Sequence, residues 1–405
     1  MKQRLRSAAA IAQPVIMLNA RTRGTFLRSS VASRPLAVLA LGCCLAQSGL
    51  GATGAEPAPP KAAAPEFSDL FEIFASAEYL RELDARPLPS RDEDPGLRAD
   101  LAYGHGAGSW RFNADYHWTT EHQHFLERLQ FGDELRPGTM LWVGRFQQPS
   151  SAWNDEHHRV QYLQTSISQP YIERWEEDEG ILPQHITGVL LETRRSFGAG
   201  RGLELAAGAG AGPSIASGRL APLEIIDDRG GAHRLAAAAR ITLRPDASGG
   251  RGASLLLGHD EIDIGDPAAV MALGAREADL DLLGAQITWH RRDWQLDAAG
   301  YRVAVYLHGL AGSRTERFSA GYLQLERALT PRVTAYGRAE TSARTQESRY
   351  VGFLGDDEDW AYRRVLGGLR WDFASRQALS AEFARASLQA GIFAQFRLQW
   401  SAAFP

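Results

Sequence analysis

Cysteine is almost absent from this chain of 405 residues. Its two cysteines, Cys43 and Cys44, are adjacent and lie in one short apolar run near the start of the sequence. If that run is removed from the mature protein, no thiol or disulfide remains. Thiol nucleophiles and cysteine-ligated metals are therefore excluded as the basis of the protein's function.

Long apolar runs are missing as well. After residue 55, no run approaches the roughly 20 residues that a helix needs to cross a bilayer, so any membrane role must use strands. Lysine does not occur after Lys61, and all later positive charge is arginine. Arginine's planar fork suits carboxylate or phosphate contacts, but a coding bias explains its use equally simply.

Acidic residues are absent from residues 1–55, which contain seven basic residues. From Glu56 onward, 37 basic residues face 48 acids, a formal charge of −11. This balance argues against a nucleic-acid partner. The basic region, the apolar run from Leu36 to Ala46 and the small residues up to Ala55 predict an export signal over 1–55. The proline-rich segment 56–66 predicts a periplasmic linker.

From about Phe67 the dominant pattern has period two, which is typical of strands with one apolar face. In the segment from Trp110 to Trp118, polar side chains alternate with aromatic residues and alanine. The last segment places Ile392, Phe396, Leu398 and Trp400 on one face, with Gln395, Arg397 and Gln399 on the other.

The composition of the two faces distinguishes a soluble sandwich from a membrane barrel. The polar face is crowded with Arg, Asp, Gln and Asn, and the apolar face ends in aromatics such as Trp118, Trp142, Trp371 and Trp400. Aromatic girdles around an apolar outer band are typical of outer-membrane barrels. Sixteen candidate segments lie between residues 67 and 401, and about sixteen strands enclose an aqueous lumen. The predicted fold is all-β, a transmembrane antiparallel barrel of about 16 strands over 67–405, and it resembles the porin-like barrels of Gram-negative bacteria.

One segment is more distinctive. It contains an aromatic-Asn pair, a His pair, a Gln-Thr-Ser-Ile run and an acidic stretch before Gly-Ile-Leu-Pro-Gln-His, with the characteristic residues Trp153, Asn154, His157, His158, Gln164, Pro183 and His185. This order resembles a segment found in a family of porin-like outer-membrane proteins. The resemblance implies an envelope location and specifies no substrate.

The connection 148–185 is too long for a hairpin loop, and long ordered loops are usually functional. In porins such a loop narrows the lumen, and charged rings there select ions by sign. We predict a constriction that favours cations weakly. Its acidic side chains would be Glu176, Glu177, Asp178 and Glu179, and they would face the arginines Arg98, Arg111, Arg145 and Arg370 across the pore. The alternative is a solvated acidic loop outside the cell.

Other functions are less well supported by the sequence. His157 and His158 are adjacent, so on a strand they cannot chelate one ion, and no metal or other cofactor is predicted. A barrel-borne hydrolase would need a pair such as Ser166 with His157, without a nucleophile elbow. A structural barrel that anchors or sheathes a partner protein is a third alternative. The favoured prediction is a non-enzymatic outer-membrane channel for small polar solutes or ions, in contact with outer-membrane lipid, with a homotrimer as its candidate assembly.

Overall fold

The computed structural model describes residues 69–83, 96–120, 124–157, 161–225, 231–245, 251–309, 312–355, 360–388 and 391–404. The predicted leader (1–55) and linker (56–66) lie outside these residues, as does His158.

Sixteen of the described strands close into one antiparallel barrel, which confirms the predicted fold class. In chain order they are β1 (Leu70–Glu82), β2 (Gly96–Ala107), β3 (Trp110–Thr119), β4 (His124–Arg136), β5 (Thr139–Gln147), β6 (His185–Phe197), β7 (Arg201–Ala211), β10 (His233–Arg244), β11 (Arg251–Asp263), β12 (Glu277–Arg291), β13 (Trp294–Gly309), β14 (Gly312–Thr330), β15 (Val333–Ala343), β16 (Arg363–Ala374), β17 (Gln377–Leu388) and β18 (Gly391–Phe404). Each coincides with a segment that the period-two pattern predicts.

Consecutive barrel strands pair with each other, and β1 closes the ring against β18 with Ile73 opposite Phe404. A small hairpin of β8 (Ser214–Ala216) and β9 (Arg219–Ala221) lies between β7 and β10. The sequence did not predict this hairpin, because three-residue strands are too short to show a period. Short helices Ala152–His157, Pro267–Leu273 and Arg349–Leu354 lie in connections between strands. No helix among the described residues is long and apolar enough to span a bilayer.

The two ends of the barrel differ in their connections. Tight turns such as Arg136–Thr139 and Arg291–Trp294 join strands at one end, the short-turn end. The connections 148–184, 212–232, 264–276 and 344–362 all lie at the other, the long-loop end. Single-chain bacterial barrels have this asymmetry, with short turns in the periplasm and long loops outside.

Apolar side chains point outward over most of the barrel. Val365, Leu369 and Phe383 are about half exposed to the surroundings, at 62%, 51% and 49%. In β18 the predicted phase is correct, since Ile392 is exposed while Gln395 and Gln399 are buried inside. Trp142 is an exception to the predicted girdle. It points into the barrel over Gly132, which leaves room for the indole, and donates a hydrogen bond to Glu192 at 2.7 Å.

The pattern inverts in the halves of β11–β14 nearest the long-loop end. Leu280, Leu282 and Val305 are buried inside the barrel, whereas Asp279 and Asp281 of β12 alternate with the buried residues and face outward. Apolar residues inside and charges outside are the arrangement of a water-soluble domain. These strand ends therefore rise above the apolar outer band, and the interior at this level is not the charged lumen that the sequence predicted.

Candidate functional site: the loop across the lumen

Residues 148–184, here called the inner loop, connect β5 to β6. The backbone N–H of Gln148 donates to the carbonyl of Gln184 at 2.7 Å, which holds the two ends of the loop together. From this root the loop reaches β15, β16 and β17. In the ring of sixteen strands β16 lies eight positions from β6. The inner loop therefore crosses the full width of the barrel.

Arg338 of β15 fastens the far end of the loop. Its guanidinium is fully buried and makes five hydrogen bonds, to Glu340 (2.8 Å), to Ser166 Oγ (3.0 Å), to Gln324 (2.9 Å), and to the carbonyl (2.7 Å) and hydroxyl (3.1 Å) of Ser168. A guanidinium has five N–H donors, so every donor has a partner. An arginine satisfied in this way fixes both the position and the orientation of the loop.

Three more charged side chains of the same wall complete this attachment, here called the wall clamp (Arg338, Glu340, Arg364 and Glu382). Glu340 accepts a hydrogen bond from the backbone N–H of Tyr171 at 2.8 Å. Arg364 pairs with Glu340 at 2.5 Å, donates to the carbonyl of Gln169 and lies over the Tyr171 ring at 4.2 Å. Glu382 accepts from Ser168 Oγ at 2.6 Å and from the N–H of Ile167 at 3.1 Å.

The root of the loop is built on buried His185. Its two ring nitrogens face Glu176 at 2.6 Å and Glu127 at 3.2 Å. Glu176 also accepts from the backbone N–H of Gln184 at 2.7 Å. Asn154, in the helix Ala152–His157, donates to the carbonyl of Glu173 (2.7 Å) and to Gln184 (2.8 Å). A shared set of buried hydrogen bonds thus joins both arms of the loop.

The distinctive segment identified in the sequence supplies the buried residues that hold the inner loop in place. Trp153 is fully buried, stacks on His157 and meets Tyr322 of β14 edge-on at 5.7 Å. Gln164 and Pro183 are buried as well, and the Gln164 carbonyl accepts a hydrogen bond from Arg370 at 2.5 Å. The segment therefore encodes the folding of the loop into the lumen.

Apolar side chains fill the space on one side of the inner loop. Ile172 and Ile181 of the loop pack in one buried cluster with Ile215 and Leu220 of the β8–β9 hairpin, Tyr350 and inward residues of β11–β14. We call this cluster the upper core. The Tyr350 hydroxyl donates to the Ile181 carbonyl at 3.1 Å, and burial raises the pKa of the phenol well above its ordinary value. The upper core occupies the long-loop half of the lumen beside β11–β14.

The predicted acidic run does not act as a unit. Glu176 is fully buried in the root, whereas Asp178 is half-buried and Glu179 is 47% exposed, 3.7 Å from Arg174. Nothing is described of the Glu177 side chain. Residues Glu176–Asp178 pack beside the strand β9 at the mouth of the barrel. Of the three described side chains of the run, Glu176 is a buried carboxylate in the root of the loop, and Asp178 and Glu179 form a partly solvated edge.

The four predicted arginines are separated too. Arg111 lies at the short-turn end and bonds the carbonyls of Gly108 and Trp110, both at 2.8 Å, while Arg98 lies on β2 near the long-loop end. Arg145 is fully buried and contacts the Leu223 carbonyl at 2.9 Å and Glu224 at 3.2 Å. Arg370 holds the carbonyls of Tyr162 (2.7 Å) and Gln164. Two of the four therefore hold connecting segments in place.

The inner wall formed by β1–β4 and the middle of β18 carries paired charges, whereas Phe393, near the long-loop end of β18, belongs to the upper core. The ion pairs are Glu78 with Arg397 (2.7 Å), Asp100 with His117 (2.5 Å) and Asp115 with Arg128 (2.6 Å). Their partners lie on adjacent strands, so each pair bridges two strands across the inner surface. We refer to this surface as the polar wall.

A cavity of about 440 Å³ opens at the short-turn end, between β5–β7 and β10–β12. Glu204 lies in it between Arg194 (2.6 Å) and Arg244 (2.9 Å). Both guanidinium groups pair with this carboxylate, and the lining of the cavity also contains Glu192 and Arg240.

The candidate hydrolytic pair is engaged elsewhere. The Ser166 hydroxyl donates to the carbonyl of Ser168 at 3.1 Å and accepts from Arg338, while His157 Nδ1 faces the carbonyl of Trp153 at 3.0 Å. Within the described ranges no group of three His, Asp or Glu side chains could hold a metal ion.

Replacing Glu176 with alanine is expected to loosen the root of the inner loop. Removing one partner of a buried charged pair costs about 3–5 kcal/mol, and His185 would lose its shorter contact. Limited trypsin digestion of the folded barrel should then cut at Arg174 much faster than in wild type. Glu347→Ala, at an exposed acid of the connection 344–362 at the same end of the barrel, is the matched control. Equal cutting rates in all three proteins would contradict the structural role of Glu176.

Solved structures with the same architecture are bacterial outer-membrane proteins. OmpF of Salmonella typhi, in complex with daunomycin, is 11% identical with a TM-score of 0.54, covering 83% of this chain and 97% of that one. The anion-selective porin of Comamonas acidovorans is 12% identical with a TM-score of 0.54, covering 84% and 100%. This chain has the porin fold. OmpT of Vibrio cholerae, 10% identical with a TM-score of 0.52 over 84% and 98%, agrees with it. No protein-family model matches the chain, and no curated protein sequence does either.

The porin-like barrel is an outer-membrane protein, as the sequence predicted. Bacterial barrels have long loops outside the cell and short turns in the periplasm, which predicts the same orientation for the long-loop end and the short-turn end here. The sequence analysis missed the wall clamp, although Arg338, Glu340, Arg364 and Glu382 all fall on the polar phase of predicted strands. Period two assigns a face to these side chains, but it does not reveal that a loop some 170 residues away in sequence binds them.

Proposed function

We propose that this porin-like barrel is a passive diffusion channel for small polar or charged solutes. The observation that carries the proposal is the inner loop, which crosses the lumen and is fastened by the wall clamp on the far side. A loop held in this way narrows the barrel, and Gln161–Leu163 of the loop also packs beside β1 and β18. We propose that the ion pairs of the polar wall line the path that the loop leaves. The path we propose runs along the polar wall.

The occupied half of the lumen sets the expected size of the solute. The upper core is apolar and densely buried, so hydrated solutes are excluded from it. The strip beside β1–β4 and β18 is lined by half-buried charges that can replace water around a solute. We therefore propose small solutes, with sugars and ions of that size passing and larger oligosaccharides retained.

The same features favour a channel over the two alternatives. A barrel that sheathes a partner protein needs a free lumen, whereas here the inner loop and the upper core occupy it. A hydrolase at this site would need Ser166 to face a base, and its hydroxyl is held by Arg338 and the Ser168 carbonyl. A homotrimer remains our proposed assembly, to be measured by light scattering of the detergent-solubilised protein.

Swelling of proteoliposomes tests the channel directly. Vesicles that contain the purified barrel should swell in isotonic pentose and much more slowly in a trisaccharide, while protein-free vesicles should not swell in either. A barrel that is folded, judged by its heat-dependent gel mobility, yet leaves vesicles impermeable to ions and to pentose would refute the proposal.

The charge pairs of the polar wall are expected to set ion selectivity. Asp115→Asn leaves Arg128 without its 2.6 Å partner on the proposed path. A charge in a confined path acts through a lower effective dielectric than in bulk water, so the chloride-to-potassium permeability ratio should rise about twofold or more. Reversal potentials in a salt gradient measure this ratio.

Glu277→Gln is the matched control for that measurement. Glu277 is paired with Arg234 at 2.8 Å and is 45% exposed, on the outward phase of β12. Its loss should leave the reversal potential unchanged. If Asp115→Asn behaves like this control, ions do not pass along the polar wall.

A further inference from the structure

We propose that the outer surface of β12–β14 binds one outer-leaflet lipid that carries phosphate on its headgroup. An acyl chain would lie in a groove of the barrel wall, and the phosphate would be bound by Arg302 and Arg317. This site is on the lipid side of the barrel and is independent of solute passage through the lumen.

The groove is made by small side chains on neighbouring strands. Its volume is about 590 Å³, and it lies between Leu255 and Leu283 on one side and β15 on the other. Its floor contains Ala285, Gly300 and Gly321. A Cβ atom added at Gly300 would meet no atom within 4 Å, so the wall is open to the membrane there. A linear hydrocarbon chain, such as the acyl chain of a lipid, fits an apolar groove of this kind.

Two arginines lie at the upper edge of this groove. Arg302 lines the groove itself and stands opposite Leu283 on β12 and Ser319 on β14. Arg317 stands opposite Ala304, two residues from Arg302. Diagonal neighbours of this kind are about 7–8 Å apart, so two guanidinium forks can share one phosphate. Both side chains are exposed on the outward phase of their strands.

These arginines differ from the other charges on this surface. Among the described residues, no hydrogen bond or ion pair involves Arg302 or Arg317, whereas Asp281 binds His259 at 2.7 Å and Asp279 binds His308 at 2.9 Å. Asp281 and Asp279, the outward carboxylates of β12 next to these arginines, are thus engaged with histidines. The surface therefore offers two positive charges for an anion that comes from outside the chain.

Arg302 and Arg317 lie at the level of the barrel where the headgroup of a membrane lipid would lie. From the level of Arg302 toward the short-turn end, the outward face carries exposed apolar side chains, namely Leu283, Ile287, Leu323 and Leu325. Toward the long-loop end it carries Asp281 and Asp279. Arg302 thus marks the boundary between the apolar band and the polar rim. Arginine at this boundary favours phosphate because its fork matches the oxygens of the group.

A second copy of this chain is the other occupant to consider. It would have to bring unpaired carboxylates to this depth and a narrow apolar ridge for the groove. Of the outward acids near this level, Asp279 and Asp281 are paired within the chain, and Glu261 lies opposite Asp279 on β11, two strands away from Arg302 on β13. Charge complementarity therefore favours the lipid.

Native mass spectrometry of the detergent-solubilised full-length protein tests the site. The probes are diphosphoryl lipid A and the same lipid without phosphate, each titrated against the wild type. Two variants disable different parts of the site: Arg302→Gln with Arg317→Gln removes the charges, and Gly300→Leu fills the groove. Arg385→Gln and Gly367→Leu are matched controls, since both positions face outward on β17 and β16.

We expect one tightly bound diphosphoryl lipid in the wild type and in both controls. The double arginine variant should bind it about tenfold more weakly or worse, given the strength of charge-assisted hydrogen bonds, and Gly300→Leu should also reduce binding. The phosphate-free lipid should bind the wild type as weakly as the double variant binds lipid A. Equal retention in all proteins would overturn the proposal. So would a change of oligomeric state in Gly300→Leu with unchanged lipid binding, because the groove would then be a contact between subunits.

Discussion

Replacing Arg364 with alanine is expected to release the far end of the inner loop and to raise the single-channel conductance. Arg364 is buried and holds Glu340, the Gln169 carbonyl and the Tyr171 ring. Losing a partner in a buried charge network costs about 3–5 kcal/mol. A shift of that size changes the ratio of fastened to released loop by more than about a hundredfold, so released states should appear as open-channel noise and larger steps.

Arg363→Ala is the control that the chain itself offers. Arg363 is the adjacent residue on β16 and is exposed on the outer face, so the same substitution there removes an arginine without touching the loop. Its conductance should equal that of wild type. Arg338→Ala, which removes the other guanidinium of the wall clamp, should behave like Arg364→Ala. If all three variants conduct as wild type does, the loop is not held by these contacts.

Replacing Phe396 with arginine is expected to destabilise the barrel by about 2–4 kcal/mol, the cost of a cationic side chain near the middle of the lipid face. Phe396 lies midway along β18 on the same face as exposed Ile392 and Leu398. Urea unfolding in lipid vesicles, followed by tryptophan fluorescence, measures the difference.

Asn113→Arg is the matched change on the inner face. Asn113 is half-buried on the polar phase of β3, between Arg111 and Asp115, where water and a carboxylate are at hand. This variant should lose less than about 0.5 kcal/mol, as surface substitutions usually do. Similar losses at the two positions would contradict the assignment of outer and inner faces.

Much of the barrel follows from local pattern alone. In Trp110–Thr119 each side chain's polarity agrees with the face on which the structure places it, because period two and one apolar face leave a single consistent register. Gly391–Phe404 follows the same register except at Phe393, an aromatic residue that is buried on the inner face. Trp142 shows the limit of that reasoning. An aromatic residue in an alternating strand was assigned to the girdle, but the space over Gly132 on the neighbouring strand places it inside.

The contacts that form the candidate site join residues that are far apart in the sequence. The sequence alone predicted that 148–185 is a long functional connection, and it identified Trp153, Asn154 and His185 as a distinctive group. It treated Glu176 as one of four equivalent pore charges, whereas the structure buries it against His185. Composition shows which residues are charged, but the neighbour of a loop carboxylate depends on how the loop folds back.

The sequence by itself determined the envelope location, the all-β architecture, a strand number of about sixteen and the outward face of most strands. These follow from residue spacing because every backbone group in a membrane must be paired and charged side chains are costly in the middle of the lipid face. Tertiary structure alone decided that the inner loop crosses to β15–β17, that apolar residues fill the lumen beside β11–β14, and that two outward arginines flank a groove. Those features join residues far apart in the chain, and no local period encodes which distant side chains meet.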